Sequence, residues 1–576
     1  MLRQSNQILI AAQTALFVLF MMNAPGVQSF AQNPVTPPNA PDGAPGNPES
    51  HTVPPVVSGW GNSGEDGRHG VNASDWSLWL VAPGAGDDGR RYGDTGASGV
   101  GGGDAGAGGR GGNLTITVTG DADFSGDYTT LGATGGTGGR GGQGGRGQGG
   151  GDAWLTGQYA RSQDEMNGAV GGTGGRGADG AAGGAGGNLL FTLDSGNVTF
   201  ATGTVFGGTG GTGGAGGQGG QGGTGGMGAD GGWGYITGFG GQGGIGGLGG
   251  DGGVGGAGGD ATFGIDNGAT TFNGVTFGGT GGDAGIGGAG GLAGLGGWGG
   301  DYNDNFSGAV GSAGSRGNGG SGGVGGNGSL TIDGGEVTFQ GTTHFGGLGG
   351  LNADGTRAAS GNGALTMNGG IVNNLGHLYI QPSGQTGNFT MSGGTVNNAG
   401  FIDALTFTGG SFNGATGNIG SLNLAGDARG VDNWGTVNNL AFADNGGLMS
   451  ISGFADESNY SFGLGMQGLQ SVNMAGGHFD FTFGTTVDQW LGSYSWESIF
   501  GTTDVIGWET ALFSFRWDDL DTGLFSGSDG WTSSTIGIAI AFSDNGMAVT
   551  PEPATLAIIG LGLAGLGYAR RRRNAA

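Results

Sequence analysis

The chain has 576 residues, of which 159 are Gly and only 35% are hydrophobic, so an ordinary compact core rich in Leu, Ile and Val is not expected. Cys is absent, which excludes disulfides and thiolate metal sites. The formal net charge is −27, and all 17 Lys and Arg residues are Arg. This acidity argues against nucleic acid as a partner and is typical of a solvated acidic surface.

The N-terminus is predicted to direct secretion. Arg3 precedes an apolar run, Ile8–Met22, and Ser29-Phe30-Ala31 provides a small-x-small cleavage site. Residues 1–31 therefore form a predicted signal peptide that is cleaved after Ala31. Residues 32–57 hold eight prolines and are predicted to be an extended spacer, followed by an aromatic and Gly-rich segment at 58–112.

Residues 113–350 repeat one module with a period near seventy residues. Each module begins with a predicted pair of strands in which apolar residues alternate, as in LLFTLDSGNVTF at Leu189–Phe200. A Gly lies two residues after an Asp in each pair, which predicts a tight turn. These aspartates are Asp194, Asp266 and Asp333. The predicted second strands end before a Gly-Gly step, at Phe206, Phe277 and Phe345.

Between the strands, Gly-Gly-X triplets run out and back in equal legs. Gly207–Met227 and Gly240–Asp260 each contain seven triplets. A glycine period of three predicts an extended helix like polyglycine II, with three residues per turn and a length of about 65 Å per leg. Such a helix has no internal hydrogen bonds, so neighbouring legs or water must satisfy its backbone. The alternative is a flexible Gly-rich linker.

Aromatic residues lie where the legs turn. As exposed apolar patches they are candidate contacts for a partner, and the alternative is that they pack on one another. The candidate tip residues are Trp154, Trp233, Tyr235, Trp298 and Tyr302.

After Gly350 the long excursions disappear, while the strand pattern persists through residues 351–453. Val-Asn-Asn recurs after a glycine-containing turn in three stretches: ALTMNGGIVNNLGHLYI (Ala364–Ile380), NFTMSGGTVNNAGFI (Asn388–Ile402) and WGTVNNLAFADNGGLMSISG (Trp434–Gly453). Asn at one point of successive coils would let side-chain amides bond between coils, which predicts a parallel β-helix. This part resembles the β-solenoids of secreted adhesins and autotransporter passenger domains. The triplet legs are similar in composition to PE-PGRS proteins and glycine-rich antifreeze proteins.

Residues 454–549 form a predicted aromatic β-rich region. Phe479, Phe481 and Phe483 alternate, as do Phe513, Phe515 and Trp517. A small β-sandwich or a cap on the solenoid would explain the pattern, and a lectin-like aromatic face is the alternative.

The last residues, 550–576, carry three parts in order. Pro551, Glu552 and Pro553 precede an apolar segment, Ala554–Ala569, and Arg570, Arg571, Arg572 and Arg573 follow it. This tail resembles the PEP-CTERM sorting signal. The resemblance implies recognition of Pro551, Glu552 and Pro553, a transient inner-membrane anchor stopped by the four arginines, and processing by an exosortase.

Catalytic and metal-binding patterns are sparse. Parallel β-helices include polysaccharide lyases and hydrolases, but the five His are scattered and no Ser/His/Asp arrangement has a known spacing. No cofactor is predicted. Calcium is the one metal weighed, because Gly246–Val254 and Gly255–Phe263 fit half of a calcium-binding nonapeptide. Gly253 and Thr262 occupy the position where that repeat needs a large apolar residue.

The sequence therefore predicts an all-β protein: a parallel β-helix or solenoid with polyglycine II-like Gly-Gly-X excursions, a C-terminal β-rich region and one C-terminal apolar helix. The predicted role is a structural or adhesion protein exported to the cell surface, outer envelope or extracellular matrix, and not an enzyme. Its predicted partners are the secretion machinery, an exosortase and, transiently, the inner membrane. Extracellular polysaccharide or self-association is a further prediction, and a β-helix lyase or hydrolase and a carbohydrate-binding protein are the alternatives.

Overall fold

The computed structural model of the chain describes a defined set of residues. They are 49–53, 98–99, 101–124, 130–147, 149–150, 167–225, 239–298, 308–380, 387–414, 416–429, 431, 433–442, 447–455, 460–463, 466–518, 520–533, 535, 537–552, 561, 563 and 564. Strands and Gly-rich legs account for most of them, and the named helices are a 3-10 turn at Val487–Trp490 and an α-helix at Trp496–Phe500. The prediction of a β-rich chain is confirmed at this level.

The strands form successive coils of a β-helix-like fold, with three strands in most coils. Equivalent strands of neighbouring coils pair in parallel and in register, so that Phe191 lies opposite Phe263, and Leu193 opposite Ile265. Their alternating apolar residues all point inward, because the side chains of a strand alternate between its two faces. We name the three sheets face 1, face 2 and face 3, in the order in which a coil visits them.

Face 1 collects the first strand of each coil. Its strands are Glu49–Val53, Leu114–Val118, Leu189–Leu193, Ala261–Ile265, Gly328–Ile332, Gly363–Met367, Gly387–Met391, Ser471–Asn473 and Val505–Ile506. Three longer strands continue from face 3 of one coil into face 1 of the next, namely Phe401–Phe407, Asn418–Leu424 and Gly435–Phe442.

Faces 2 and 3 collect the second and third strands. Face 2 contains Ala122–Phe124, Asn197–Phe200, Ala269–Asn273, Glu336–Gln340, Ile371–Asn374, Thr395–Asn398 and Ser411–Asn413. Face 3 contains Thr130–Leu131, Val205–Phe206, Thr276–Phe277, Thr342–Phe345, His377–Tyr379 and Met466–Gln467.

The predicted strand pair of each long module is thus three strands. Gly203, Gly274 and Gly341 adopt φ values of 80°, 70° and 69° and separate the second strand from the third. The predicted turns are confirmed: Gly196, Gly268 and Gly335 have φ values of 96°, 89° and 72°, two residues after Asp194, Asp266 and Asp333.

The core is a column of aromatic and aliphatic side chains along the coil axis. On face 2, Phe124, Phe200, Phe272 and Phe339 stack with ring centroids 5.1, 5.3 and 5.4 Å apart. Phe200, Phe272 and Phe339 are completely buried. One phenylalanine per coil at the same register therefore produces a continuous ladder of rings. Burial of this aromatic surface stabilises the stack of coils.

The next two rungs of this ladder are asparagines. Asn374 lies opposite Phe339 and Asn398 opposite Asn374, and both are fully buried. The Asn374 side-chain amide donates to the Asn398 Oδ1 atom at 2.8 Å. On the outer side of the same strands, Asn397 donates to Asn373 at 2.9 Å. The predicted stacking of Val-Asn-Asn between coils is confirmed for the first two copies. It is wrong for the third copy, in which Val437 lies opposite Ile419 and Asn439 opposite Ser421.

Coil length falls along the chain. Equivalent residues lie 75, 72 and 67 positions apart across the Gly-rich modules, and then 35, 24 and 16 positions apart. In the aromatic region the spacing rises again, to 32 and 33 positions. The predicted period near seventy and its later shortening are both confirmed. The extra residues of the long coils are the Gly-Gly-X excursions, which leave after face 3 and return before face 1.

The excursions form a structure of their own, which we call the lamina. Its outgoing legs are 132–147, 207–225, 278–298 and a short fourth leg at 346–351, and its returning legs are 101–112, 168–187, 240–259 and 308–326. Outgoing legs bond side by side to outgoing legs, as Gly210 N–H does to the Thr280 carbonyl at 2.8 Å. Each also bonds to antiparallel returning legs, as Gly211 N–H does to the Gly184 carbonyl at 2.8 Å. The lamina thus has one layer of outgoing and one layer of returning legs.

The aromatic region continues the coils and then adds antiparallel strands. Leu448–Ala455, His478–Phe483 and Leu512–Trp517 pair in parallel, and Tyr460–Gly463, Leu520–Asp521 and Phe525–Ser526 pair at their margins. A four-stranded antiparallel sheet follows, in the order Gly492–Ser495, Gly546–Pro551, Ile538–Ser543 and Trp531–Ser533. The short strand Val505–Ile506 pairs with Ser471–Asn473.

Candidate interaction surface

The X residues of the triplets form the outer faces of the lamina. In each interior triplet the first glycine donates to the next leg of the same layer and the second donates to an antiparallel leg, as Gly213 and Gly214 do. These glycines are largely buried, whereas X residues such as Thr212 and Gln218 are exposed. Within covered legs, side chains larger than the methyl group of Ala therefore occur along the X rows, and a ligand of the outer faces would contact those rows.

One apolar row stands out on the outgoing face. Ile286, Leu292, Leu295 and Trp298 follow one another along the third outgoing leg with 60%, 66%, 63% and 74% of their surface exposed. The short fourth leg extends this patch with Leu348 and Leu351. Exposed apolar rows of this kind are typical of contact surfaces.

The returning face mixes apolar and charged X residues. Ile245, Leu248 and Val254 are about half exposed. Between Leu248 and Val254 lies Asp251, next to Asp179 of the neighbouring leg. The Arg176 guanidinium lies 2.9 Å from Asp179 and 3.8 Å from Asp251, so it bridges two adjacent legs at the solvent-exposed surface.

Asn and Asp at X supply acceptors that the leg backbone lacks. The Asn113 Oδ1 atom accepts from Asn188 N–H at 3.0 Å, and the Asn188 side chain accepts from Asp260 N–H at 3.0 Å. In the same way, Asn327 N–H donates to the Asp260 Oδ1 atom at 2.7 Å, and Asn362 N–H donates to the Asn327 Oδ1 atom at 2.9 Å. Within the described lamina, the backbone N–H groups of X residues donate to no backbone carbonyl. At the junction with face 1, the side chains of this row accept hydrogen bonds from those N–H groups.

A second candidate is a polar cluster on the outer side of the aromatic coils. The Ser514 hydroxyl donates to the Asp480 Oδ1 atom at 2.9 Å, and both residues are buried. The His478 Nε2 atom lies 3.3 Å from the Ser514 Oγ atom. Arg429 donates to both carboxylate oxygens of Asp427, at 3.1 and 2.8 Å, and lies 4.0 Å from Asp480.

The electrostatics of this cluster favour a neutral histidine. Burial lowers the pKa of His478, although the Asp480 carboxylate opposes the shift. The hydrogen bond from Arg429 lowers the pKa of the Asp427 carboxyl. Because the single Ser514 proton goes to Asp480, His478 is placed to donate to Ser514 and not to accept its proton. A nucleophilic triad needs the opposite order, with His between Ser and the carboxylate.

The sequence contained a signal for this cluster that aromatic patterning hid. In HFDFTF, His478 and Asp480 alternate with the buried phenylalanines, and Ser514 occupies the register of Asp480 in the next coil. Treating each His as isolated therefore missed the grouping. Among the described residues, no set of three or more His, Cys, Asp or Glu is arranged to hold a metal ion.

The sorting tail joins the fold directly. Pro551 ends the strand Gly546–Pro551 and lies opposite Ile538, and Glu552 N–H donates to the Gly537 carbonyl at 2.6 Å. Pro553, Arg570, Arg571, Arg572 and Arg573 lie outside the described residues, as do the predicted cleavage residue Ala31 and most of Ala554–Ala569. Within the part of the chain that the structure describes, no helix is both long and apolar enough to cross a membrane.

The predicted tips are only partly described. Trp298 is 74% exposed at the end of its leg. Trp154, Trp233, Tyr235 and Tyr302 lie outside the described residues, so their role as exposed tips stays a prediction.

Residues 549–573 match the PEP-CTERM protein-sorting motif. This match supports export and sorting by an exosortase, in agreement with the predicted tail. Comparison with curated proteins and with solved structures found no match. The resemblance to adhesins and to other glycine-rich proteins therefore stays a prediction.

Proposed function

We propose that this protein is a non-enzymatic structural component of the cell surface or extracellular matrix, anchored transiently and then processed by an exosortase. The observation that carries the proposal is the PEP-CTERM motif at residues 549–573, which begins within the last strand, Gly546–Pro551, of a β-rich fold. A long stack of coils with a bonded lamina suits a mechanical or displaying role, since its surface is built from repeats.

We further infer that the lamina legs are polyglycine II-like helices and not linkers. Three observations support this: the legs carry no α or strand assignment, their bonds recur every three residues, and positive φ is confined to junction glycines such as Gly207, Gly278 and Gly346. A helix of this type bonds only to its neighbours. Far-UV circular dichroism of the exported protein should then contain a polyproline II component that disappears cooperatively on heating.

Sorting is tested by substitution of the motif. Replacing Pro551, Glu552 and Pro553 together by Ala should leave the chain unprocessed in the membrane fraction, because the recognition triplet is lost. Glu509→Ala changes an exposed acidic residue elsewhere and should be processed normally. Cell fractionation and mass spectrometry of the mature C-terminus distinguish the two. Normal processing of the triple variant would contradict exosortase sorting through these residues.

The structural role is tested separately. A strain that lacks the protein should lose surface or matrix integrity, and the Ser514→Ala variant should restore it fully. Ser514 is the one buried hydroxyl that contacts both an acidic residue and a histidine in the polar cluster. Failure of Ser514→Ala to restore the phenotype, with normal folding and export, would favour the alternative of a lyase or hydrolase.

A further inference from the structure

Covered legs of the lamina carry glycine at the first position of nearly every triplet, and Ala284 and Ala293 are exceptions no larger than a methyl group. In the third returning leg, 240–259, a Cβ atom on Gly243, Gly246 or Gly249 would overlap a carbonyl oxygen of the third outgoing leg. Such contacts are closer than real Cβ atoms ever make, and the obstacle is backbone, so it cannot rotate away. A side chain larger than the methyl group of Ala at this position is therefore incompatible with a neighbouring leg on that side.

The fourth returning leg, 308–326, breaks this rule over half of its length. Its first positions are Val310, Ala313 and Arg316 toward the tip, and all three are exposed. Closer to the coils the first positions return to glycine, at Gly322 and Gly325.

The switch coincides with the end of the fourth outgoing leg. A Cβ on Gly322 or Gly325 would overlap the carbonyl of Gly350 or Gly347, so both glycines lie under that leg. The fourth leg ends at Leu351, and the turn Asn352–Thr356 brings the chain back. Beyond this turn no described leg covers the fourth returning leg, and there the side chains appear.

The same edge carries backbone donors without leg partners. In the second outgoing leg, Gly216 and Gly222 donate to carbonyls of the third leg, both at 2.9 Å. The equivalent amides of the third leg, Gly287, Gly290 and Gly296, have no backbone partner among the described residues. A Gly-Gly-X leg laid alongside would satisfy them, just as an extra strand satisfies the open edge of a sheet.

Arg316 also connects the two layers of the lamina at this edge. Its Nε atom donates to the Gly287 carbonyl at 3.2 Å, so the side chain crosses from the returning layer to the outgoing layer. It thereby lies over the groove between the two layers into which a further leg would have to fit.

We propose that Val310, Ala313 and Arg316 guard the open edge of the lamina against a Gly-Gly-X leg from a second copy of this chain. The occupant is a second copy because its legs carry the same triplets and acceptors that pair inside the lamina. The guard explains why glycine is kept under the fourth leg and lost beyond it. The inference does not depend on the proposed function.

The test is a triple variant, Val310→Gly, Ala313→Gly and Arg316→Gly, in the full exported protein. We expect concentration-dependent association, with the weight-average mass in sedimentation velocity rising about twofold or more above wild type. The matched control is Ala309→Gly, Ser312→Gly and Ser315→Gly, which adds three glycines to X positions of the same leg. The control should sediment as wild type does. Identical sedimentation of the guard variant and wild type would overturn the proposal.

A second measurement uses the unmodified chain, in case the triple variant does not fold. Amide hydrogen exchange at Gly287, Gly290 and Gly296 should be about a hundredfold faster than at Gly216 and Gly222, because the edge donors bond only to water. Equal protection of the two sets would show that the edge is already covered, and the guard would then have nothing to exclude.

Discussion

A single added methyl group inside the lamina should be strongly destabilising at Gly217. This glycine is buried in the second outgoing leg, and its N–H donates to the Ala178 carbonyl at 2.7 Å. Its own carbonyl accepts from Gly250 N–H at 2.9 Å. In Gly217→Ala the new Cβ would overlap the carbonyl oxygen of Gly142 in the first outgoing leg.

The size of the effect follows from these contacts. The leg must move away from its neighbour, which weakens the two hydrogen bonds at about 1 kcal/mol each and adds the cost of a buried carbonyl left unpaired, about 1 kcal/mol or more. Replacing Gly by Ala also lowers the conformational entropy of the unfolded chain, which stabilises the folded state by about 0.4–1 kcal/mol. The net expectation is a loss of about 2 kcal/mol, concentrated in the lamina because repeats contact only their neighbours.

Native-state hydrogen exchange at the Gly250 amide measures this loss. A drop of about 2 kcal/mol in local opening free energy corresponds to exchange about thirtyfold faster. The control is Gly264→Ala, an identical change at a glycine of face 1 whose added Cβ would meet nothing within 4 Å. It should leave exchange at Gly250 unchanged. If both variants exchange alike at Gly250, close backbone approach does not determine the glycine requirement.

Three further outcomes are expected. Phe272→Ala, in the centre of the face 2 ladder, should cost about 3–5 kcal/mol in denaturant unfolding. Asn374→Ala leaves the buried side-chain carbonyl of Asn398 without its donor and should cost about 1–3 kcal/mol, whereas Asn397→Ala, which removes a partly buried donor to Asn373, should cost only about 0.5–1 kcal/mol. Because burial lowers the pKa of His478, the unfolded chain binds a proton more readily, and stability should fall as pH drops below about 6.5. His478→Gln should flatten that pH dependence of the denaturation midpoint, and an unchanged slope would contradict the assignment.

The coil architecture could be predicted because its determinants are local. Phe191 and Leu193 alternate at period two, a turn glycine follows Asp194, and the Asn-Asn pairs recur at one register. These patterns depend on neighbours in sequence. The third strand of each coil escaped prediction because Val205–Phe206 is only two residues long and depends on pairing with the next coil for its identity.

The contacts between distant parts of the chain could not be predicted in the same way. The Ser514, His478 and Asp480 cluster requires the register between two strands more than thirty residues apart. The edge side chains Val310 and Arg316 acquire their meaning only from the point where another leg ends. The residue spacing within one leg indicates neither the register between distant strands nor the point where a neighbouring leg ends. The sequence therefore predicts the helical legs but not where the edge of the lamina lies.

The lamina bonds have a consequence for how such a chain can change length. Every leg forms hydrogen bonds to its neighbours at intervals of three residues, and Gly217 bonds to both Ala178 and Gly250, which lie on separate legs. An insertion of one or two residues would move X side chains into the glycine rows. A triplet added to one leg would leave its return leg short. The lamina thus has a reading frame of its own, and we expect related chains to gain or lose whole triplets in pairs, one on each side of a tip.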